Sequence, residues 1–228
     1  MMNSHPSAAD IDNWEKLGNP GWNFETLKPY YKKYETFNAP SEELGKMLSI
    51  EIIDPSLHGT FGPVQSTFPH GTSEVDSMWG STLKSLGLGA ETDPRDGSTL
   101  GGYPVLKFID KEARRSTAAT AFYAPNAGRE NLTVITEAFV NKIVLDEKNG
   151  SVEATGVSFS VSGEKYIVSS AREVILSAGT FLSPKILELS GIGSKAILEQ
   201  HSIKTVVDNA NVGDNLQVRL LHRDRGLH

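Results

Sequence analysis

The chain predicts an α/β fold of mixed character, and three observations carry that prediction. An apolar run, Val174-Ile175-Leu176, leads through Ala178-Gly179 into a helical stretch. Short segments of period-two hydrophobicity follow one another between residues 131 and 170. Apolar residues at helical spacing recur through the first 86 positions. A buried strand that ends in a small-residue turn and passes straight into a helix is how open α/β sheets build a ligand site.

The elements follow in order. Ser7 or Asp10 caps a first helix through Ile11, Trp14 and Leu17, and Gly18-Asn19-Pro20-Gly21 ends it. Trp22-Asn23-Phe24 leads into a second helix through Leu27, Tyr30, Tyr31 and Tyr34. Residues 58–67, HGTFGPVQST, predict a turn and then a strand. Residues 73–86 predict a helix, with Val75, Met78, Trp79, Leu83 and Leu86 on one side. Residues 87–102 are rich in Gly and Asp and predict a loop, and residues 115–123 a helix broken by Pro125. LTVIT, VNKIVL, ATGVSFS and KYIVS then predict a β-meander, with turns at residues 146–150 and 162–163.

Residues 173–177, EVILS, are expected to be a buried parallel strand flanked by that meander. In the helix that follows, Ser183 suits the N-cap and Pro184 the first helical position, where a missing N–H costs nothing. Ile186, Leu187 and Leu189 give it an apolar side, and Gly191 and Gly193 stop it. Ala178-Gly179, with no bulk, lets a ligand approach the backbone closely.

Composition narrows the function classes. A length of 228 residues with 38% hydrophobic content suits one large or two small globular domains. A net charge of −6, with Lys32-Lys33 and Arg114-Arg115 as the paired basic residues, argues against a general nucleic-acid binder. With no cysteine there is neither a disulfide framework nor thiolate chemistry. No apolar run approaches the ~18 residues that span a bilayer.

Few motifs carry chemistry. Gly87-Leu88-Gly89 lacks the third glycine and the preceding strand of a dinucleotide phosphate loop. Asp93, Asp96 and Gly97 suggest a calcium loop only faintly, since Pro94 interrupts it and no spaced glutamate follows. His5, His58, His70, His201, His222 and His228 form no ligand pair at helical spacing, and His58 suits a structural turn better than catalysis. Trp14, Trp22 and Trp79 suit a core or an interface. Asn131-Leu132-Thr133 is a glycosylation sequon of a kind frequent by chance.

AGTFLSPKILELSGIG, residues 178–193, closely resembles the second signature of the glucose–methanol–choline (GMC) oxidoreductases, FAD-dependent enzymes that oxidise alcohols. DIDNWEKLGNPGWNFETLKPYYKKYE (10–35), HGTFGPV (58–64), RRSTAATAFYAP (114–125), NLTVITEAFVNKIVL (131–145) and VGDNLQ (212–217) resemble further landmarks of that family in order, with a fungal flavour. The resemblance implies part of an FAD-binding Rossmann-like domain with a β-meander, plus part of a substrate-binding domain. It implies that residues 1–130 are a mixed helical and substrate-domain region and that residues 131–217 are the second part of the FAD-binding domain, with residues 218–228 an aberrant tail.

Val140 falls on the family's valine whose backbone meets the adenine of FAD, and Ala178 and Gly179 fall beside the nucleotide. The partner implied is a small-molecule alcohol that gives a hydride to the flavin. The family's glycine-rich phosphate loop and its catalytic histidine have no counterpart in these residues. The expectation is therefore an internal fragment, without a catalytic residue of its own and inactive alone. The alternatives are a stand-alone flavin- or nucleotide-binding module and a catalytically dead interaction protein. The tail VRLLHRDRGLH matches nothing in the family pattern.

Overall fold

A computed structural model describes residues 3, 5–69, 73–148 and 150–217. His70, His222, His228 and the tail 218–228 lie outside the described residues. The chain divides into two compact units, Met1–Leu132 and Thr133–His228.

In the first unit, helix α1 (Ala8–Lys16) starts where Ser7 Oγ accepts the Asp10 N–H, and helix α2 (Phe24–Tyr34) where Asn23 Oδ1 accepts that of Thr26. Such side chains satisfy amides that the first helical turn leaves orphaned. Strand β1 (Glu35–Phe37) follows α2 without a break and pairs in parallel with β2 (Val64–Ser66), Glu35 opposite Val64 and Phe37 opposite Ser66. Between them lie α3 (Glu42–Leu48) and a 3₁₀ turn, Pro55–Leu57. Helix α4 (Glu74–Ser85) begins with a capping box in which Ser73 and Asp76 exchange hydrogen bonds. Leu48, Ile50, Phe68 and Leu106 form the core, with Phe37, Leu44 and Ile53 packed against it.

One expectation for this unit changes, and two are narrowed. Residues 115–123 are not a regular helix. A single π-type turn, Ala119–Tyr123, runs into a 3₁₀ turn, Ala124–Asn126, because Pro125 cannot continue an α-helical ladder. Trp14, Trp22 and Trp79 are about half exposed rather than core, and Trp14 and Trp22 stack on each other at 5.6 Å. The apolar residues of α4 have the predicted spacing, yet Val75, Met78, Trp79 and Leu86 are exposed. Periodicity gives a helix its apolar side but does not supply a partner for it.

In the second unit, β3 (Phe139–Lys148), β4 (Ser151–Val161) and β5 (Glu164–Ser169) form the predicted antiparallel meander. Ser162 and Gly163, both at positive φ, make the two-residue turn between β4 and β5, the geometry that matches strand twist. Helix α5 (Gly179–Leu189) packs on β3. Ser190 Oγ accepts the Ile143 N–H at 2.8 Å and donates to the Ile186 carbonyl at 2.6 Å, tying the end of α5 to the open edge of β3. Gly191 at φ +87 ends the helix and leads into β6 (Ile192–Gly193), which pairs in parallel with β7 (Val207–Asp208) around α6 (Lys195–Gln200).

Here too the structure corrects the sequence reading. LTVIT, residues 132–136, joins no ladder, and the meander starts at Phe139. Residues 173–177 are not a buried strand. They are unpaired, with Val174 and Leu176 half-buried and Ile175 77% exposed. The period-two alternation is present, but a strand is defined by a hydrogen-bonded neighbour and none of the described residues supplies one. Helix α5 starts at Gly179, four residues before the expected cap, so Pro184 lies inside it; Ser183 Oγ instead accepts the Ala178 N–H.

Ser190→Ala removes the acceptor of a buried N–H. It should lower the stability of the second unit by about 1–3 kcal/mol, the cost of an unsatisfied buried donor. Urea unfolding followed by far-ultraviolet circular dichroism reads this, and an unchanged midpoint would show that the tie is unimportant.

Candidate functional site

The expected cofactor-contacting residues, Val140, Ala178 and Gly179, lie in the second unit on two elements that pack together, β3 and α5. Val140 stands at a bulge near the start of β3: it faces Phe159, Lys142 faces Ser158, and Asn141 falls between the two registers. Strand β3 is an edge of its sheet, so one rail of its main-chain groups has no strand beside it. A bulge on an edge re-aims backbone donors and acceptors, and an N–H with a nearby C=O can read the edge of an adenine ring.

Gly179 has φ +84, and a Cβ built there meets nothing within 4 Å. The turn therefore needs glycine for its backbone angle while the space before it stays open. No side chain caps the start of α5. Thr180 and Phe181 are exposed in its first turn, where amide groups favour anionic or polar ligand atoms. The start of α5 is thus an open glycine turn with no side-chain cap, on an element that packs against an edge strand.

The first unit holds a second constellation that the sequence reading missed. Glu35, His58, Asp93 and Arg95 are each no more than 5% exposed. Glu35 Oε1 lies 2.6 Å from Arg95 Nη2 and accepts from Ser66 Oγ at 2.7 Å and from Asn3 Nδ2 at 3.4 Å. His58 bridges the two carboxylates, with Nδ1 3.2 Å from Glu35 Oε2 and Nε2 2.9 Å from Asp93 Oδ2. Asp93 also accepts the backbone N–H groups of Asp54 at 2.9 Å and Arg95 at 2.8 Å.

Local sequence explains how these residues meet. In H-G-T-F-G, a Cβ at Gly59 would overlap the carbonyl oxygens of Lys32 and Glu35, and one at Gly62 would overlap the Tyr34–Glu35 backbone. The two glycines thus let the loop lie flat on the α2–β1 junction, held by Phe37 N–H to the Gly59 carbonyl and Gly62 N–H to that of Glu35. His58 is thereby set beside Glu35. Asp93-Pro94-Arg95-Asp96-Gly97 is a 3₁₀ turn ended by Gly97 at φ +100, and it brings Asp93 and Arg95 in from the other side. The faint calcium-loop pattern is this turn. His58–Gly59 and the Asp93–Gly97 pattern are the visible signals in the sequence; nothing local distinguishes Glu35 or Arg95 from ordinary surface charges.

Burial is the largest single influence on Glu35 and raises its pKa, but the His58 hydrogen bond and the Arg95 charge outweigh it and leave the carboxyl below its ordinary 4.5. Asp93 behaves alike: burial raises it, and the hydrogen bonds from His58 and from the Arg95 and Asp54 amides bring it below 3.8. His5 and His201 take no part in these ion pairs. Among the described residues no three metal-ligating side chains converge to hold an ion, and no helix is long and apolar enough to cross a membrane.

Comparison with known proteins gives a consistent result. The family model for GMC oxidoreductase matches residues 1–221. The chain is 39% identical over 222 residues to the dehydrogenase citC of Monascus ruber, covering 95% of this chain and 35% of that protein. It is 36% identical over 220 residues to glucose oxidase 2 of Penicillium expansum, covering 94% and 36%. Among solved structures, an FAD-dependent oxidoreductase from Chaetomium thermophilum superposes with a TM-score of 0.84 at 32% identity, over 91% of this chain and 35% of that one. A fungal aryl-alcohol oxidase shares the fold, with a TM-score of 0.79 at 24% identity. The chain spans about a third of the length of these relatives.

Two outcomes follow for the cluster. Gly59→Ala should destabilise the first unit by about 3 kcal/mol or more, since backbone must move to admit the methyl; Glu35→Gln should cost about 3–5 kcal/mol, since it leaves two buried cations facing one carboxylate. Both carboxyl pKa values are depressed, so their contribution is complete above the ordinary values and is lost as pH falls through the folded ones. Acid unfolding read by tryptophan fluorescence, with all three tryptophans in the first unit, should begin below about pH 4.5 and at higher pH in Glu35→Gln. An acid midpoint unmoved by that substitution would refute this.

Proposed function

Because the chain belongs to the GMC oxidoreductase family, we propose that it supplies part of the cofactor-binding framework of an FAD-dependent alcohol oxidoreductase and has no catalytic base of its own. The observation that carries the reading is the open, positive-φ Gly179 turn at the uncapped start of α5. When bound, FAD supplies the two-electron acceptor for a hydride from the alcohol carbon. Residues 131–217 would be the second part of the FAD-binding domain. Val140 would offer its backbone to adenine, and Ala178-Gly179 would let the nucleotide approach the main chain. The remaining donors at that end of α5 would orient polar atoms of the cofactor.

One observation agrees with the absence of a base and is shared by the alternative reading, a nucleotide-binding module without turnover. His58 suits a structural turn by sequence, and both its ring nitrogens face carboxylates in a buried cluster. A general base needs a free lone pair within reach of the substrate proton.

Titration of FAD fluorescence separates the contacts. Val140→Ala should change affinity less than about threefold, since the proposed contact is main-chain. Gly179→Val should weaken it more than about tenfold, since a β-branched residue is strained at φ +84 by about 1–3 kcal/mol. The reverse order would overturn the assignment. With excess FAD, the 228-residue chain should not reduce an artificial electron acceptor with any of a panel of alcohols. Alcohol-dependent turnover would refute the absence of a base, and His58 would be the first residue to substitute.

A further inference from the structure

Carboxylate oxygens only accept hydrogen bonds. A ring with one at each nitrogen must therefore carry hydrogen on both, which makes His58 an imidazolium. The buried set then holds two negative charges, Glu35 and Asp93, and two positive, His58 and Arg95. Removing the His58 proton leaves two carboxylates against one guanidinium in a place water does not reach. Charge in such a site is tolerated only when it is balanced and hydrogen-bonded.

The cluster adds a side-chain tie between segments that backbone hydrogen bonds also connect. Glu35 opens β1, Ser66 closes β2, and His58 follows the Pro55–Leu57 turn. Asp93 and Arg95 belong to the next 3₁₀ turn, and Asp54 is held to Asp93 through its backbone. We propose that this set is a pH-sensitive clasp on the first unit: the proton on His58 holds the 54–62 segment between the α2–β1 junction and the Asp93–Gly97 turn, and losing it above neutral pH releases that segment.

The neighbours of His58 leave it as the responsive member. Glu35 faces it from β1, and Asp93 and Arg95 from the 93–97 turn. Asp54 lies just before its own turn, and the uncharged Phe37 ring packs on it at 4.3 Å. Lys32 of α2 ties the same segment from outside, through Nζ to the Ser56 carbonyl at 2.6 Å. His5 and Tyr34 lie within the electrostatic reach of Arg95 and Glu35. Burial first, then Arg95, lowers the His5 pKa, and burial raises that of Tyr34. Neither supplies a replacement charge as the pH rises.

For His58, burial is the largest influence and pulls the pKa down, but the hydrogen bonds and charges of Asp93 and Glu35 prevail and leave it raised above 6.5. The sign follows: the clasp is complete below about pH 6.5 and weakens as pH climbs to the folded value, by at most tenfold per pH unit in the opening constant.

Hydrogen exchange by mass spectrometry on the full chain tests this, with rates corrected for the intrinsic pH dependence of amide exchange. Peptides containing the Asp54, Gly62 and Arg95 amides should lose protection as pH rises from 6 to 9, by at most about tenfold per pH unit, while the β3–β4 hairpin of the second unit stays constant. His58→Gln should show low protection already at pH 6 and no further fall. Asp93→Asn, which leaves His58 one carboxylate, should move the fall to lower pH. A flat wild-type profile, or a fall that persists in His58→Gln, would overturn the clasp. Should His58→Gln not fold, the wild-type profile and Asp93→Asn decide it, and a midpoint unmoved by Asp93→Asn refutes the proposal.

Discussion

The Glu35 carboxylate is the constraint around which the first unit is organised. It is wholly buried, and it accepts from Asn3, Ser66, His58 and Arg95, which come from four separate stretches of chain. An ionised carboxylate can be held without water only if its lone pairs are satisfied and its charge is opposed. That requirement fixes where the glycine turn, the 93–97 turn and the N-terminal segment must lie. Removing one member would strand the others, so the group behaves as a unit rather than as a sum of pairs.

The apolar core beside this cluster is small, built on Leu48, Ile50, Phe68 and Leu106. Phe37 joins the two: its ring packs on His58 at 4.3 Å and edge-on to Phe68 at 6.4 Å. Short strands and 3₁₀ turns contribute few ladder hydrogen bonds, so polar side-chain ties take over what a larger sheet would do. The second unit is stabilised differently. Its meander has long ladders, interrupted in β3 by register shifts after Val140 and Val144, and the Ser190 hydroxyl joins the helix to the open edge of β3.

That second unit also shows how the candidate cofactor edge is made available. Ile175, Phe181 and Phe139 are well exposed, and residues 173–177 lie extended without a pairing partner. Surface of that kind favours association. The glycine turn at Gly179 sits within this region, between an unpaired extended segment and the start of α5, so the backbone a nucleotide would meet is open rather than enclosed.

The sequence by itself determined the local elements wherever the signal was local. The first helix with Ser7 as one of its two candidate caps, the helices that follow Asn23 and Ser73, the turn at Ser162-Gly163 and the alternation in β3 to β5 all act through neighbouring residues, and these elements stand as read. It also determined the family, because the stretch 178–193 combines many residues at fixed spacing. Tertiary structure alone decided the rest. The alternation of residues 173–177 says that they can pair, and only a neighbour makes them a strand. Val75, Met78 and Trp79 show which side of α4 is apolar but not whether anything covers it. Glu35, Asp93 and Arg95 are distant in sequence and resemble any surface charges. They become a buried site only because Gly59 and Gly62 let one loop lie against the backbone of another, and no pattern along the chain encodes that contact.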